Sequence, residues 1–246
     1  ILGKTNGDLV ITNEQIGKKK VRPIQTTIEK DLVYPIVKPR HVKKWLMKGY
    51  KYIIIPQKKQ GENNESEVLT TNPKTYAYLQ TFRDDLLGRS SRWFKGGDKP
   101  FYSLFGIGVY TFAPFKVVWS SIGFLHAFAV VSTVTDEFIG TKEVIPDNTI
   151  GYLSFEAEQE AHYTCAILNS NVIREMFSRR STKSKWGISI SMVKHVPIPP
   201  YNPDNPVHRN LAALSRQAHE LARSSADTSD IERQVNLIVP ECLNSL

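Results

Sequence analysis

Cysteine is almost absent from this chain. Its two cysteines, Cys165 and Cys242, are too few for a disulfide framework, and Cys165 sits in an apolar helical stretch as a small buried hydrophobe would. That usage fits a reducing compartment, so a cytoplasmic location is expected. Long apolar runs are missing too. None approaches the roughly 18 residues of a membrane helix, and no membrane partner is expected. The six histidines, at 41, 126, 162, 195, 208 and 219, are scattered, with no i, i+4 pair on a helix; no metal site is expected from them. No Gly-x-Ser-x-Gly elbow appears, neither cysteine has a His close in sequence, and there is no internal repeat. At 246 residues, 41% hydrophobic and 23% charged, the composition is that of a globular protein, which excludes a collagen, a coiled coil and a disordered tail. The chain opens at Ile1 without methionine or a signal pattern, so it is expected to be a piece of a longer protein.

Acidic residues are scarce in the first quarter. Residues 1–60 hold 14 Lys+Arg against 4 Asp+Glu, whereas the remainder holds 18 against 20; the chain as a whole carries +8. A basic segment on an otherwise balanced chain suits a polyanionic partner. A solvated basic surface is the other reading.

The pattern of apolar residues predicts mixed elements. Residues 9–11, 32–37 and 50–55 read as strands, and 57–70 as a polar surface loop. Asn72-Pro73 opens a helix whose Tyr76, Leu79, Phe82 and Leu86 fall at spacings of three to four, ending at Gly88. A strand-rich block follows at 101–105, 109–112, 115–119, 127–133, 142–145 and 149–155. Residues 156–180 are helical, with a break near Asn169-Ser170; 189–196 read as extended; 205–224 and 229–239 are helical, with Leu211, Leu214, Ala218 and Leu221 as an apolar stripe. This order predicts an α+β fold: a domain over residues 1–200 with a mixed sheet, then a helical tail over 201–246.

Catalytic motifs are few. Gly106-Ile-Gly108 is half of a dinucleotide fingerprint, lies among strands and reads as a bend. Pro146-Asp147 and Glu156 lack the lysine of a nuclease carboxylate pair, and Pro-Asp-Asn reads as a tight turn. Ile198-Pro199-Pro200-Tyr201 resembles the Asn-Pro-Pro-Tyr loop of amino-methyltransferases, but Ile198 has no side-chain acceptor for a target amino group. No catalytic residue is assigned.

Basic–aromatic clusters are more informative. Residues 38–51 contain six Lys or Arg and no acid, with Arg40, Lys43 and Lys44 among them. Arg179, Arg180, Lys183, Lys185 and Trp186 form a second cluster after a helix. Arg89 and Arg92, with Trp93, Phe94 and Lys95, form a third. Lys and Arg neutralise phosphates with release of counterions, and an arginine makes paired contacts to a guanine edge. The expected DNA contacts are Arg40, Lys43, Lys44, Arg179, Arg180, Lys183 and Lys185, with Arg89, Arg92 and Lys116 in second rank. A core-rim lysine is the competing reading of Lys116. Trp45, Trp119 and Trp186 read individually as packing residues.

The segment Ile28-Glu-Lys-Asp-Leu-Val-Tyr-Pro-Ile-Val-Lys-Pro-Arg-His-Val-Lys-Lys-Trp45 resembles the entry motif of target-recognition domains in N6-adenine DNA methyltransferases. That pattern is a glutamate, an apolar strand ending Tyr-Pro, then Arg-Asp-Ile-Lys-Arg and an aromatic; His41 stands in the place of its Asp. Further matches come in order: Pro73 to Arg89, Gly106 to Trp119, Ala161 to Ser170, and Val196-Pro-Ile-Pro199. The Leu-Asn-Ser helix and the Pro-Ile-Pro exit are similar to the TaqI-like C-terminal specificity domain of type IIG restriction–modification enzymes and phage-defence methylases.

The resemblance implies a domain that reads double-stranded DNA, with His41 beside Arg40 at the interface. It implies as partner an N-terminal methyltransferase domain of the parent chain, carrying S-adenosylmethionine, into which the target adenine is flipped. Three other readings stand beside it. They are a specificity subunit serving separate catalytic subunits, a protein–protein module with an incidental basic face, and a standalone enzyme.

Overall fold

A computed structural model describes residues 1–15, 20–123, 125–180 and 187–244. The fold is α+β, with helices and both parallel and antiparallel strand pairs. It divides into two compact units, neither continuous in sequence: one comprises Ile1–Pro35, Tyr52–Phe112 and Val134–Lys142, the other Ile36–Lys51, Ala113–Thr133 and Glu143–Leu246.

The first unit begins with an antiparallel sheet of Gly3–Thr5, Asp8–Thr12 and Gln25–Ile28. Asn6-Gly7 joins the first two strands with φ of 50° and 87°, the two-residue turn that suits strand twist. Alternation sends Leu9 and Ile11 inward to meet Ile28, Val33 and Ile139. The expected helix from residue 73 is two helices, Pro73–Gln80 and Arg83–Leu87. Thr81 hydroxyl donates to Tyr78 O at 2.6 Å and Phe82 N to Leu79 O at 3.0 Å, a tightened last turn that drops Phe82 into the interior. The expected loop before it contains a further helix, Glu65–Thr71, whose Val68 packs with Phe101 and Tyr102.

The expected strands at 101–105 and 109–112 are instead turns and a 3-10 helix, Val109–Phe112. Pro100 and Pro114 flank the stretch, and Gly106 has φ +73°. Phe101, Tyr102 and Ile107 are buried from turns rather than by pairing as strands.

In the second unit the strand Phe115–Ser120 lies between Ile150–Phe155 and Phe128–Val131, antiparallel to both. Trp119 is fully buried and faces Gly151, where a Cβ would come within 2.3 Å of the indole; only glycine permits that approach. The helix Glu158–Leu168 is buried at every position from Ala161 onward, so it is central to its unit. It shares a core with Pro206–Arg223 and Ser229–Asn244. The helices expected as a tail beyond residue 200 are therefore part of this unit's interior.

Residues 190–194, expected as extended, form a short helix in which Ser189 Oγ accepts from Met192 N at 3.2 Å. The Asp147 turn is as expected, with Asp147 Oδ1 accepting from Thr149 N at 3.1 Å. Among the described residues no helix is long and apolar enough to cross a membrane, and no cluster of three His, Cys, Asp or Glu is placed to hold a metal.

Candidate nucleic-acid interface

The most basic stretch, residues 38–51, folds as a one-turn 3-10 helix, Pro39–His41, followed by a hairpin pairing Val42 with Met47 and Lys43 with Leu46. Trp45 closes the hairpin with φ +63°, a left-handed conformation unusual for a bulky residue. Its indole is buried, and Nε1 donates to Glu232 Oε1 at 2.9 Å. Tertiary packing therefore fixes the turn that presents the flanking cations. Lys48 N donates to His41 O at 2.7 Å, which draws Lys48 back beside Arg40. Arg40, Lys43 and Lys48 are exposed, so one hairpin presents three cations.

His41 is mostly buried. Lys38 N approaches its Nδ1 at 3.2 Å, and Arg40 Nε approaches its Nε2 at 3.1 Å. Burial and the charges of Arg40, Lys38 and Lys51 hold its pKa below the usual value. A neutral imidazole accepts at one nitrogen only, so the two contacts cannot both be hydrogen bonds. The consequence is electrostatic: where an aspartate would neutralise Arg40, an uncharged ring leaves its charge undiminished.

Lys44 is committed elsewhere, in an ion pair with Glu232 Oε2 at 2.7 Å. Burial raises the Glu232 pKa, but hydrogen bonds from Lys44, Trp45 and Thr228 outweigh it and hold the carboxyl below its usual value. Lys38 is 3.8 Å from Asp147.

Arg179 lies in the last turn of the helix Asn171–Arg180 with its side chain 82% exposed, paired at 3.6 Å with Glu175 one turn back. The Arg180 side chain, Lys183, Lys185 and Trp186 lie outside the described residues. Arg174, not singled out from sequence, is exposed on the same helix. It and Lys44 both act on His126, whose pKa is pushed down to about 4 by burial and then by those two charges. The hairpin and this helix are thus electrostatic neighbours within one unit. The sequence signal for Arg174 was weak, because no other cation adjoins it.

Two of the second-rank residues are structural. Arg89 donates to the carbonyls of Leu86, Ser103 and Phe101 at 2.7, 2.8 and 3.0 Å and stacks on Phe94 at 3.7 Å. Its guanidinium organises a loop and has little left for a phosphate. Lys116 is fully buried, with Nζ donating to Ala113 O at 2.7 Å, and burial pushes its pKa down to about 8. It presents no charge to a surface, which corrects its place among the contacts. Arg92 is exposed.

The chain is 31% identical over 152 residues to the Type II methyltransferase M.NspV of Nostoc sp. (strain ATCC 29411 / PCC 7524). The match takes in 61% of this chain and 30% of that protein. This chain is related to a Type II methyltransferase. No family model matches it. The matched part is less than a third of the relative's length.

Methyl transfer to an amino group draws on S-adenosylmethionine and an acceptor that holds the target nitrogen. The segment Ile198–Tyr201 does not fit that work. Ile198 offers no side-chain acceptor, Pro199 O accepts from Tyr163 Oη at 3.1 Å, and Tyr201 packs on Tyr163 with ring centres 5.4 Å apart. Glu29 and Asn169, both inside the resemblance motifs, have structural work. Glu29 accepts from Lys74 N, Thr75 N and Thr75 Oγ1 at 2.7–2.9 Å, satisfying free donors of a helix's first turn. Asn169 accepts from Phe128 N at 3.0 Å and donates to Phe128 O at 2.9 Å, so a side-chain amide takes the place of a strand neighbour.

Proposed function

We propose that this chain is the DNA-recognition part of an adenine-specific DNA methyltransferase or restriction–modification enzyme, with the S-adenosylmethionine-dependent catalytic domain elsewhere in the parent protein. The relation to a Type II methyltransferase supports the enzyme class. The observation that carries the recognition role is the hairpin of residues 38–51, where Arg40, Lys43 and Lys48 are exposed and no acid occurs in the segment. Clamping of phosphates by these side chains positions the protein, and base contacts from adjoining loops supply sequence choice.

Each phosphate neutralised contributes about −0.9 to the slope of log affinity against log salt. Binding of the 246-residue chain to a fluorescein-labelled 30-base-pair duplex, titrated from 50 to 300 mM KCl, measures that slope. The triple variant Arg40→Ala/Lys43→Ala/Lys48→Ala is expected to flatten it by roughly 2 to 3. An unchanged slope removes the hairpin from the interface, and no duplex binding at 50 mM KCl defeats the reading altogether.

A further inference from the structure

The first unit carries a second candidate surface that the basic hairpin does not include. Phe105 is 65% exposed, Val109 75% and Tyr110 45%, a concentration of apolar side chains that a solvated loop does not need. The tip is held rather than loose. Gly106 N donates to Gln60 Oε1 at 2.8 Å, Gln60 N donates to Ile107 O at 3.0 Å, and Leu104 N donates to Gln57 Oε1 at 2.7 Å. Gln57 is almost wholly buried, so the turn beneath the tip is anchored in the interior. Trp93 backs the Phe105 ring edge-on at 5.4 Å, and Lys99 Nζ lies 4.7 Å over Trp93.

That same turn carries Lys58 and Lys59, both exposed. The carboxylate of Glu62 accepts from their backbone amides at 2.9 and 3.2 Å, which ties that acid to the main chain of the turn while both lysine side chains stay exposed. Arg92 is exposed on the Trp93 side. Glu62 in the turn and Asp98 in the Trp93 loop are opposing charges of this surface.

A protein partner is the alternative occupant, but lysine is depleted in protein interfaces, whereas basic side chains around a protruding apolar residue suit nucleic acid. Proteins that read DNA by shape insert phenylalanine or aliphatic residues against the bases while cations hold the phosphates on either side.

We propose that this loop is a second DNA contact, with Phe105 set against the bases and Lys58, Lys59 and Arg92 on the flanking phosphates. It rests on the DNA reading above. Loss of a base–aromatic contact costs about 1–3 kcal/mol, so Phe105→Ala is expected to weaken binding of the labelled 30-base-pair duplex by roughly 5- to 150-fold with the salt slope unchanged. Lys58→Ala/Lys59→Ala is expected to flatten the slope by about 2. Leu69→Ala, at another exposed position of the same unit (50%), is the control and leaves both quantities as in the parent chain.

If the parent chain binds duplex and both loop variants match it, this proposal fails and the DNA reading survives. If the parent chain binds no duplex, the DNA reading fails and takes this proposal with it. All the substituted side chains are exposed, and an unchanged circular dichroism spectrum separates lost contact from lost fold.

Discussion

Arg89 and Lys116 are cations whose surroundings, not their type, decide what they do. Three carbonyl bonds tie Arg89 to its loop, and hydrogen bonds to a charged group contribute about 1.5–3 kcal/mol each when isolated, less when shared. Arg89→Ala is expected to lower stability by about 3 kcal/mol, read from the urea midpoint of the transition that exposes Trp93; an unshifted midpoint would show the clamp to be dispensable. Lys116 has the opposite expectation. Its pKa of about 8 in the fold, against 10.5 for the free side chain, means that the folded state binds the proton less tightly than the unfolded one. Stability therefore rises as pH increases from 8 to 10.5, and below pH 8 the buried charge costs about 3 kcal/mol. Loss of the bond to Ala113 gives back about 1 kcal/mol. Lys116→Met is expected to raise stability at pH 7 by about 2 kcal/mol, to gain less at pH 10, and to leave duplex affinity unaltered. A loss of duplex affinity in a folded variant would return Lys116 to the interface.

At the scale of elements, the pairing of Glu158–Leu168 with Pro206–Arg223 contains three buried imidazoles, His162, His208 and His219, of which the first and last meet at Ser215. His162 Nδ1 is 3.0 Å from Ser215 Oγ, His219 Nδ1 is 2.7 Å from Ser215 O, and Val130 N donates to His219 Nε2 at 2.8 Å. Burial pushes their pKa values down, to about 4 for His162 and about 3 for His219. Both are neutral in folded and unfolded chains above pH 6.5, so they give no pH dependence there. As pH falls below 6.5 the unfolded chain takes up protons that the fold refuses, and stability drops by about 2 kcal/mol per imidazole by pH 5. Urea midpoints measured from pH 7.5 to 5 check this before most carboxylates titrate; a flat profile would mean that these rings protonate without opening the helix pair.

The charge and length of the whole molecule acquire a different meaning once the units are known. Residues 1–60 carry +10, more than the +8 of the whole chain, but are divided between both units. The helices after residue 200 place Leu211, Leu214, Ala218, Ile231, Val235 and Val239 in the core of the second unit, each 6% exposed or less. At about 1.5–3 kcal/mol per buried aliphatic side chain, their removal is comparable to the whole of the roughly 5–15 kcal/mol by which a domain is stable. A chain ending at residue 200 is expected to lose the cooperative unfolding of the second unit, seen by circular dichroism and limited proteolysis. A truncated chain that still melts cooperatively in that unit would make the C-terminal helices a detachable tail.

Much of this was legible in the amino-acid order. Local chemistry marked Tyr50–Ile55, Phe115–Trp119 and residues 149–155 as strands, the break at Asn169-Ser170 and the Asp147 turn, because period and turn residues act over a few neighbours. The same order misread 101–112 and 189–196, where prolines, glycines and a serine cap outweigh apolar content. It did not register Lys58-Lys59, a cation pair beside Gly61 in a loop that was otherwise polar. Sequence by itself determined the α+β class, the excess of positive charge and the absence of a disulfide framework. Tertiary structure alone decided which cations face solvent. Lys44, Arg89 and Lys116 resemble Lys43 and Arg92 in sequence, but a carboxylate, three carbonyls and a closed core occupy them, and those partners lie where only the folded chain brings them.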